Sequence, residues 1–368
     1  MNWIKFFIKL LFVMLVVLSC LAIIEFGLRA FYYNDNKDSY GGWNESRPNA
    51  FRNEANFSEI LKSLDGTCKY PALVHSNGTS FFASDFSCGG VTYINNKRLT
   101  LPIVSEWKKT IHIFGGSTLM GVGSVDAFTI PSIIQMEFIN DQIRVLNYGV
   151  SSFVARQQND TLKALKGDIR KGDIVIYYDG GNDFWNGVML GNFDGDMAGY
   201  NQKHKYQLGI FILRNWLSKN SNIYRLLSEL KHNRKKNPDV CSVDTKIAAQ
   251  RISKAANHFS NKINVAREIS ELSGAEFFHF YQPTLFDSNI LTSYEEKLVS
   301  KNPCFSMAMP FKKVFDSIFL DVAKNSVDLS NILAGKDLFF DYIHVSFEAN
   351  KLVSKIIVET IRENEFSN

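Results

Sequence analysis

Three apolar runs, residues 111–114, 143–146 and 173–178, each end in a cluster of small polar residues, and helix-patterned stretches separate them. This alternation specifies parallel strands, because a parallel pair needs a crossover long enough to hold a helix. The strand ends then lie side by side along one edge of the sheet, where open α/β sheets bind ligands. The first end, Phe114-Gly-Gly-Ser117-Thr, turns sharply and presents a hydroxyl. The second is Asn147-Tyr-Gly149-Val-Ser-Ser152, and the third is Asp179-Gly-Gly-Asn182-Asp183. Taken alone, strand-Gly-Gly-Ser describes a helix cap or an anion cradle as well as a nucleophile turn, and the cap is the commoner use.

Further along, helical spacing of Ile247, Ile252, Ala255, Phe259, Ile263, Ala266 and Ile269 predicts one long helix over 245–272. A buried strand over 275–282 stops at Pro283, a helix occupies 311–322, and a final helix covers 347–364 after the segment Asp341-Tyr-Ile-His344. At 45% hydrophobic and 21% charged residues, the 368-residue chain has the material for one sizeable core. The net charge of +4 is spread along the chain, densest at Lys231-His-Asn-Arg-Lys-Lys236, with no accompanying stripe of stacking residues. That pattern is a solvated loop and argues against a nucleic-acid partner.

Ser117, Gly149, Asn182, Asp341 and His344 all fall at strand ends or just before the final helix. A hydrolytic serine needs a base, a carboxylate to orient that base, and N–H donors for the developing oxyanion. His344, three residues after Asp341, fits base and orienter. Ser117 N–H, Gly149 N–H and the Asn182 amide fit the donors. Each residue also has a plain structural reading: Asn182 and Asp183 as caps, His344 as a core histidine, Asp341 as a turn residue, Asp179 and Arg156 as surface turns. His112 and His279, inside apolar strands, read as core. The coincidence of all the blocks carries the chemical reading.

Phe114-Gly-Gly-Ser117-Thr, Asn147-Tyr-Gly149, Gly180-Gly-Asn182-Asp183 and Asp341-x-x-His344 resemble, in order and separation, four sequence blocks of the SGNH (GDSL-type) hydrolases. The likeness covers roughly residues 110–364. It implies a flavodoxin-like three-layer α/β/α sandwich with a mainly parallel sheet. It also implies Ser117 as nucleophile, His344 as base, Asp341 as orienter, and Gly149 and Asn182 as oxyanion donors, with esterase or acyl-transfer activity. Gly116 departs from the pattern, which carries Asp there. The Gly-x-Ser-x-Gly elbow of α/β-hydrolases is not met, since Leu119 replaces its second glycine.

At the N-terminus an apolar run over residues 6–24, broken only by Lys9, gives about 19 residues, near the ~20 needed to span a bilayer as a helix. The bulky sequence after it lacks a small-x-small cleavage site, so the run reads as an uncleaved anchor. Lys5 and Lys9 place the N-terminus in the cytoplasm and the remainder in the periplasm or outside the cell. Residues 1–33 are thus expected to form the anchor, 34–100 a stalk and small cap or edge region, and 101–368 the catalytic domain with an insertion over 184–244. Beyond Cys20, four cysteines suit an oxidising compartment, with Cys68–Cys88 and Cys241–Cys304 as the expected disulfides. No zinc-type spacing and no nucleotide fingerprint occurs, so neither metal nor cofactor is expected.

These features lead to an anchored serine esterase that removes O-acyl groups, with O-acetyl as the expected group, from a cell-surface glycan. An acyltransferase of an envelope polysaccharide, working beside an envelope-biosynthesis partner, would use the same site with a sugar hydroxyl replacing water. A glycan-binding scaffold is the non-enzymatic alternative, and the intact set of Ser117, Asn182, Asp341 and His344 argues against it.

Overall fold

The computed structural model describes residues 3, 11–17, 19–20, 22–25, 73–76, 79–82, 85–195, 221, 244–300, 303–323 and 325–367. The chain divides into two compact units, Met1–Glu45 with Met197–Pro238, and Ser46–Asp196 with Asp239–Asn368. In the first unit residues 11–17, 19–20 and 22–25 are helical, and Ser221 Oγ donates to Glu25 Oε2 at 3.1 Å. No helix among the described residues is long and apolar enough to cross a membrane. Several residues of the expected 6–24 span, the expected helix over 208–230 and the basic cluster at 231–236 lie outside the described residues.

The second unit carries a hairpin of β1 (Leu73–Ser76) and β2 (Thr79–Phe82), and an eight-stranded sheet. The sheet's strands are β3 (Phe86–Cys88), β4 (Val91–Ile94), β5 (Lys97–Arg98), β6 (Lys109–Gly115), β7 (Ile143–Gly149), β8 (Ile174–Asp179), β9 (Glu276–Tyr281) and β10 (Ser326–Asp328), in the spatial order β10-β9-β8-β6-β7-β5-β4-β3. The five strands from β10 to β7 are parallel. Numbered among themselves they run 2-1-3-4-5, the flavodoxin-like order, whose switch point lies between β6 and β8.

Side chains alternate between the two faces as a pleated strand requires. On one face Phe114, Val175, Tyr177, Phe277 and Tyr281 pack on α3 (Ala155–Ala164), α5 (Thr245–Leu272) and α7 (Pro303–Val322). On the other, Ile111, Ile113, Ile174, Ile176 and Phe280 pack on α2 (Ile130–Glu137) and α8 (Phe347–Ser367). The helices thus form a layer on each side of the sheet. Asp244 caps α5, accepting from the N–H groups of Lys246 and Ile247 at 2.9 and 3.2 Å.

Three elements differ from expectation. Residues 86–98, assigned by sequence to the stalk and cap or edge region, extend the main sheet as an antiparallel meander, β3-β4-β5, joined to β7 through Arg98 and Asn147. Its two-residue turns, Gly89-Gly90 and Asn95-Asn96, all have positive φ, the geometry of tight hairpins. Helix α7 begins at Pro303, well before residue 311, and continues through Pro310. Residues 184–195, expected in the insertion, belong to the main unit: Phe184, Val188 and Met189 are core residues packed with α5.

Cys88 and Cys304 are disulfide-bonded and Cys20 is free. The expected partners, Cys68 and Cys241, lie outside the described residues.

Candidate active site

Strand β6 ends at Gly115, and Ser117 opens the single-turn helix α1 (Ser117–Met120) at the switch point of the sheet. Ser117 Oγ lies 2.8 Å from His344 Nε2, and His344 Nδ1 lies 2.7 Å from Asp341 Oδ2. Both partners come from the strap between β10 and α8. There Phe339 bridges Val345, and the N–H of Phe340 donates to the carbonyl of His344 at 2.8 Å. The other carboxylate oxygen of Asp341 accepts from the backbone N–H groups of Ile343 and His344 at 2.9 and 2.8 Å. Burial works against charge on Asp341, but these bonds and the neighbouring imidazole outweigh it and hold its carboxyl below the usual range. The strap is tied down by Leu285 N–H, which donates to the Tyr342 carbonyl at 2.8 Å.

Asn182 begins the turn after β8, in α4 (Gly181–Phe184), and its Nδ2 donates to the Phe153 carbonyl at 2.9 Å. A Cβ built on Gly116 would fall 2.5 Å from that nitrogen. The glycine that departs from the SGNH pattern therefore gives the amide its place beside the Ser117 turn, and Nδ2 keeps a second N–H beyond the one given to Phe153.

Gly149 has a different employment from the expected oxyanion donor. Its N–H donates to Asn147 Oδ1 at 2.8 Å, and a Cβ there would lie 2.3 Å from the backbone nitrogen of Met120. Its missing side chain lets α1 pack directly on β7. Three residues on, Ser152 has φ +64°, and its N–H has no acceptor among the described residues. That left-handed residue precedes Phe153, whose carbonyl holds Asn182. Neither motif nor periodicity distinguishes it in the sequence.

Arg98, also unmarked by the sequence, is 2% exposed. It pairs with Asp126 at 3.0 Å and donates to the carbonyls of Met120, Gly121 and Ser124 at 2.8, 3.0 and 2.6 Å. A cation there complements the exposed carbonyls at the end of α1, so the β3–β5 extension braces the turn that carries Ser117.

The remaining polar candidates are structural. His279 is fully buried, with Nδ1 2.7 Å from Ser326 Oγ and Nε2 2.9 Å from Asp179 Oδ1. Asp179 is therefore a core residue rather than a surface turn. Arg156 pairs with Asp160 at 2.7 Å. Asp183 caps α3 rather than its own helix, accepting from Ala155 N–H at 3.0 and 3.3 Å. Burial and the neighbouring Asp179 raise its pKa well above the ordinary carboxylate value.

A carboxyl whose folded pKa is raised binds its proton more tightly when folded, so it costs stability as pH rises through the unfolded value of ~3.9. Asp183→Asn keeps an acceptor for Ala155 and removes that cost. It should raise the melting temperature at pH 7, with the gain shrinking below about pH 4. A series of thermal melts against pH checks this.

No group of three or more His, Cys, Asp or Glu among the described residues is arranged to hold a metal ion. No protein-family model matches the sequence, and no curated protein matches it. Among solved structures the chain is similar to a member of the lipolytic protein G-D-S-L family from Veillonella parvula, at 10% identity over 68% of this chain and 97% of that one, with a TM-score of 0.37. It is similar to the inhibitor-bound aryl esterase of M. smegmatis, at 11% identity over 70% and 99% of the two chains, TM-score 0.40. A carbohydrate acetylesterase from Sinorhizobium meliloti is similar at 11% identity over 70% and 99%, TM-score 0.36.

Proposed function

We propose that the protein is a serine esterase of the SGNH type that hydrolyses O-acyl esters, O-acetyl groups of a cell-surface glycan being the intended class. The observation that carries the reading is the series Ser117 Oγ, His344 Nε2, His344 Nδ1, Asp341 Oδ2, with links of 2.8 and 2.7 Å. His344 takes the proton as Ser117 Oγ attacks the ester carbonyl, then returns it to the departing alkoxide; water, activated by His344, releases the acyl group. Asp341 fixes the ring so that Nε2 faces the serine. Ser117 N–H, the N–H of Ser152, unpaired among the described residues, and the Asn182 amide receive the oxyanion, with Ser152 in the part expected of Gly149.

The glycan substrate rests on the apolar run at 6–24, which we read as an anchor holding the catalytic unit in the periplasm or outside the cell. Disulfides Cys68–Cys88 and Cys241–Cys304 belong to the same reading.

The test is a fluorophosphonate probe followed by intact mass. One adduct on the wild type and none on Ser117→Ala supports an activated serine; no adduct on the folded wild type refutes it. Product analysis with an acetyl ester and an added glycan then separates free acetate, the esterase product, from acetylated glycan, the transferase product.

Gly116→Ala tests the oxyanion assignment. The added methyl must displace the Asn182 amide, and loss of one such donor costs about 10²–10³ in kcat. We expect kcat to fall by roughly that factor, with fluorophosphonate labelling slowed and the melting temperature little changed.

A further inference from the structure

Two aromatic residues join the arms of the site. Trp185 follows Asn182 by one helical turn, where α4 runs on as a π-helix over Trp185–Leu190, so the two side chains fall on the same side of it. Tyr342 stands between Asp341 and His344 on the strap. The rings of Trp185 and Tyr342 stack, with centroids 5.6 Å apart and planes at 29°. Beside them Ile343 covers Gly181, where an added Cβ would fall 2.7 Å from Ile343 Cδ1. The turn that carries Asn182 and the strap that carries His344 are thus packed together along one aromatic wall.

Phe286 and Phe305 complete the cluster. Phe286 lies 5.9 Å from Trp185 and 5.5 Å from Tyr342, and Phe305 lies 4.8 Å from Tyr342. Packed on these neighbours, Trp185 and Tyr342 remain half-buried. Among the described residues neither the Trp185 indole N–H nor the Tyr342 hydroxyl has a hydrogen-bond partner, and neither is a buried atom. Both are open to a ligand. Burial of the ring, then the charge of Asp341, raises the pKa of Tyr342, so its hydroxyl keeps a proton to donate at neutral pH. Rings with an apolar body and an accessible polar tip suit a partner that is itself apolar on one side and polar at its rim.

On the esterase reading, His344 returns its proton to the departing alkoxide, so the alcohol half of the ester lies on the strap's side of Ser117. Tyr342 belongs to that strap. We propose, resting on that reading, that Trp185 and Tyr342 determine specificity for the alcohol half and take a sugar there. The C–H surface of the sugar lies along the wall, and its oxygens accept from the Trp185 indole N–H and the Tyr342 hydroxyl. A fatty alcohol would displace water from both donors and leave them without acceptors, a penalty that a sugar avoids. The four aromatic side chains offer no charge to an ionic alcohol.

Two acetate esters separate these alcohols: 6-O-acetylglucose and hexyl acetate, which carry the same acyl group on six-carbon alcohols with and without hydroxyls. Isothermal titration of each into full-length Ser117→Ala protein measures binding apart from turnover. Saturable binding of 6-O-acetylglucose is expected, tighter than hexyl acetate by roughly ten-fold or more, the worth of two such hydrogen bonds. In the same background Tyr342→Phe and Trp185→Phe each keep an aromatic ring in the cluster and remove one donor. Each should weaken the sugar ester about three- to ten-fold. No saturable binding of the sugar ester, equal or tighter binding of hexyl acetate, or indifference to both substitutions would each overturn the proposal. Hydrolysis of ethyl acetate by the wild type is measured alongside. Its absence, with the binding pattern intact, would overturn the esterase reading and keep the sugar site.

Discussion

Ser117→Ala should leave a folded protein whose ester turnover has fallen roughly 10⁵–10⁶-fold, a loss His344→Ala should match and the double variant should barely exceed. Nucleophile and base act as one unit, so removing either removes the whole proton-coupled attack. What survives is transition-state stabilisation by the oxyanion donors, which neither substitution touches. KM should change little, because Ser117 Oγ contributes to the transition state more than to ground-state binding. The fold should tolerate the change: Ser117 is 6% exposed, and its described side-chain bond is the one to His344. Steady-state kinetics on an acetyl ester, with a thermal melt of each variant, checks every part. Retention of more than about 1% of wild-type kcat in Ser117→Ala would place the chemistry elsewhere.

The largest effect on stability is expected at Lys312. Its side chain is fully buried in α7, with Nζ 2.5 Å from Asp287 Oδ1, 2.6 Å from Asp316 Oδ1 and 2.9 Å from the Tyr281 hydroxyl. Tyr281 in turn donates to Asp316. Burial alone would lower the pKa of Lys312, but the two carboxylates raise it, so the ammonium stays charged. Burial pushes the carboxyl of Asp287 up to about 7 even with Lys312 opposing it.

Lys312→Ala removes the cation from both carboxylates, and breaking a buried pair in this way costs about 3–5 kcal/mol. Chemical denaturation at pH 7 should show that loss. With the cation gone the carboxyls hold protons more tightly in the folded state than in the unfolded one. The deficit should therefore be smaller at pH 5 than at pH 8. Turnover should fall as well. The other oxygen of Asp287 accepts from Thr284 N–H and Oγ1, both at 2.8 Å, and the next residue, Leu285, pins the His344 strap through Tyr342. A change of less than about 1 kcal/mol would mean that the carboxyls are already neutral.

This cluster also shows where the sequence stops being legible. Lys312 and Asp316, four apart on a helix, look like an ordinary surface pair, and nothing local to Asp287 reveals that the chain folds it against them. Parallel strands were legible where an apolar run joins a small polar turn, and α5 because its apolar residues keep helical spacing along 245–272. Strand β10 is only three residues long and is recognised by its pairing with β9, not by its composition. The start of α7 was hidden by Pro310, which breaks the helical pattern in sequence but not in space.

At the site, residue types exposed Ser117, Asn182, Asp341 and His344, because side-chain chemistry is written in the sequence. Backbone donors are not: the choice between Gly149 and Ser152 depends on which N–H Asn147 has already engaged. The bracing by Arg98 is hidden for a similar reason, since its partners are carbonyl oxygens that every residue possesses.

The separation of 227 positions between Ser117 and His344 carries a consequence for the protein's early life. A ribosome adding about 5–20 residues per second needs roughly 10–45 s to pass from Ser117 to His344. Throughout that interval Ser117 lacks the imidazole that lies 2.8 Å from its Oγ in the folded chain. The strap is held from beyond by α8, where Asn350 donates to Ser124 Oγ and to the Phe128 carbonyl at 3.1 and 2.9 Å. On the proposed reading, a nascent chain is thus without its general base until α8 has emerged and docked.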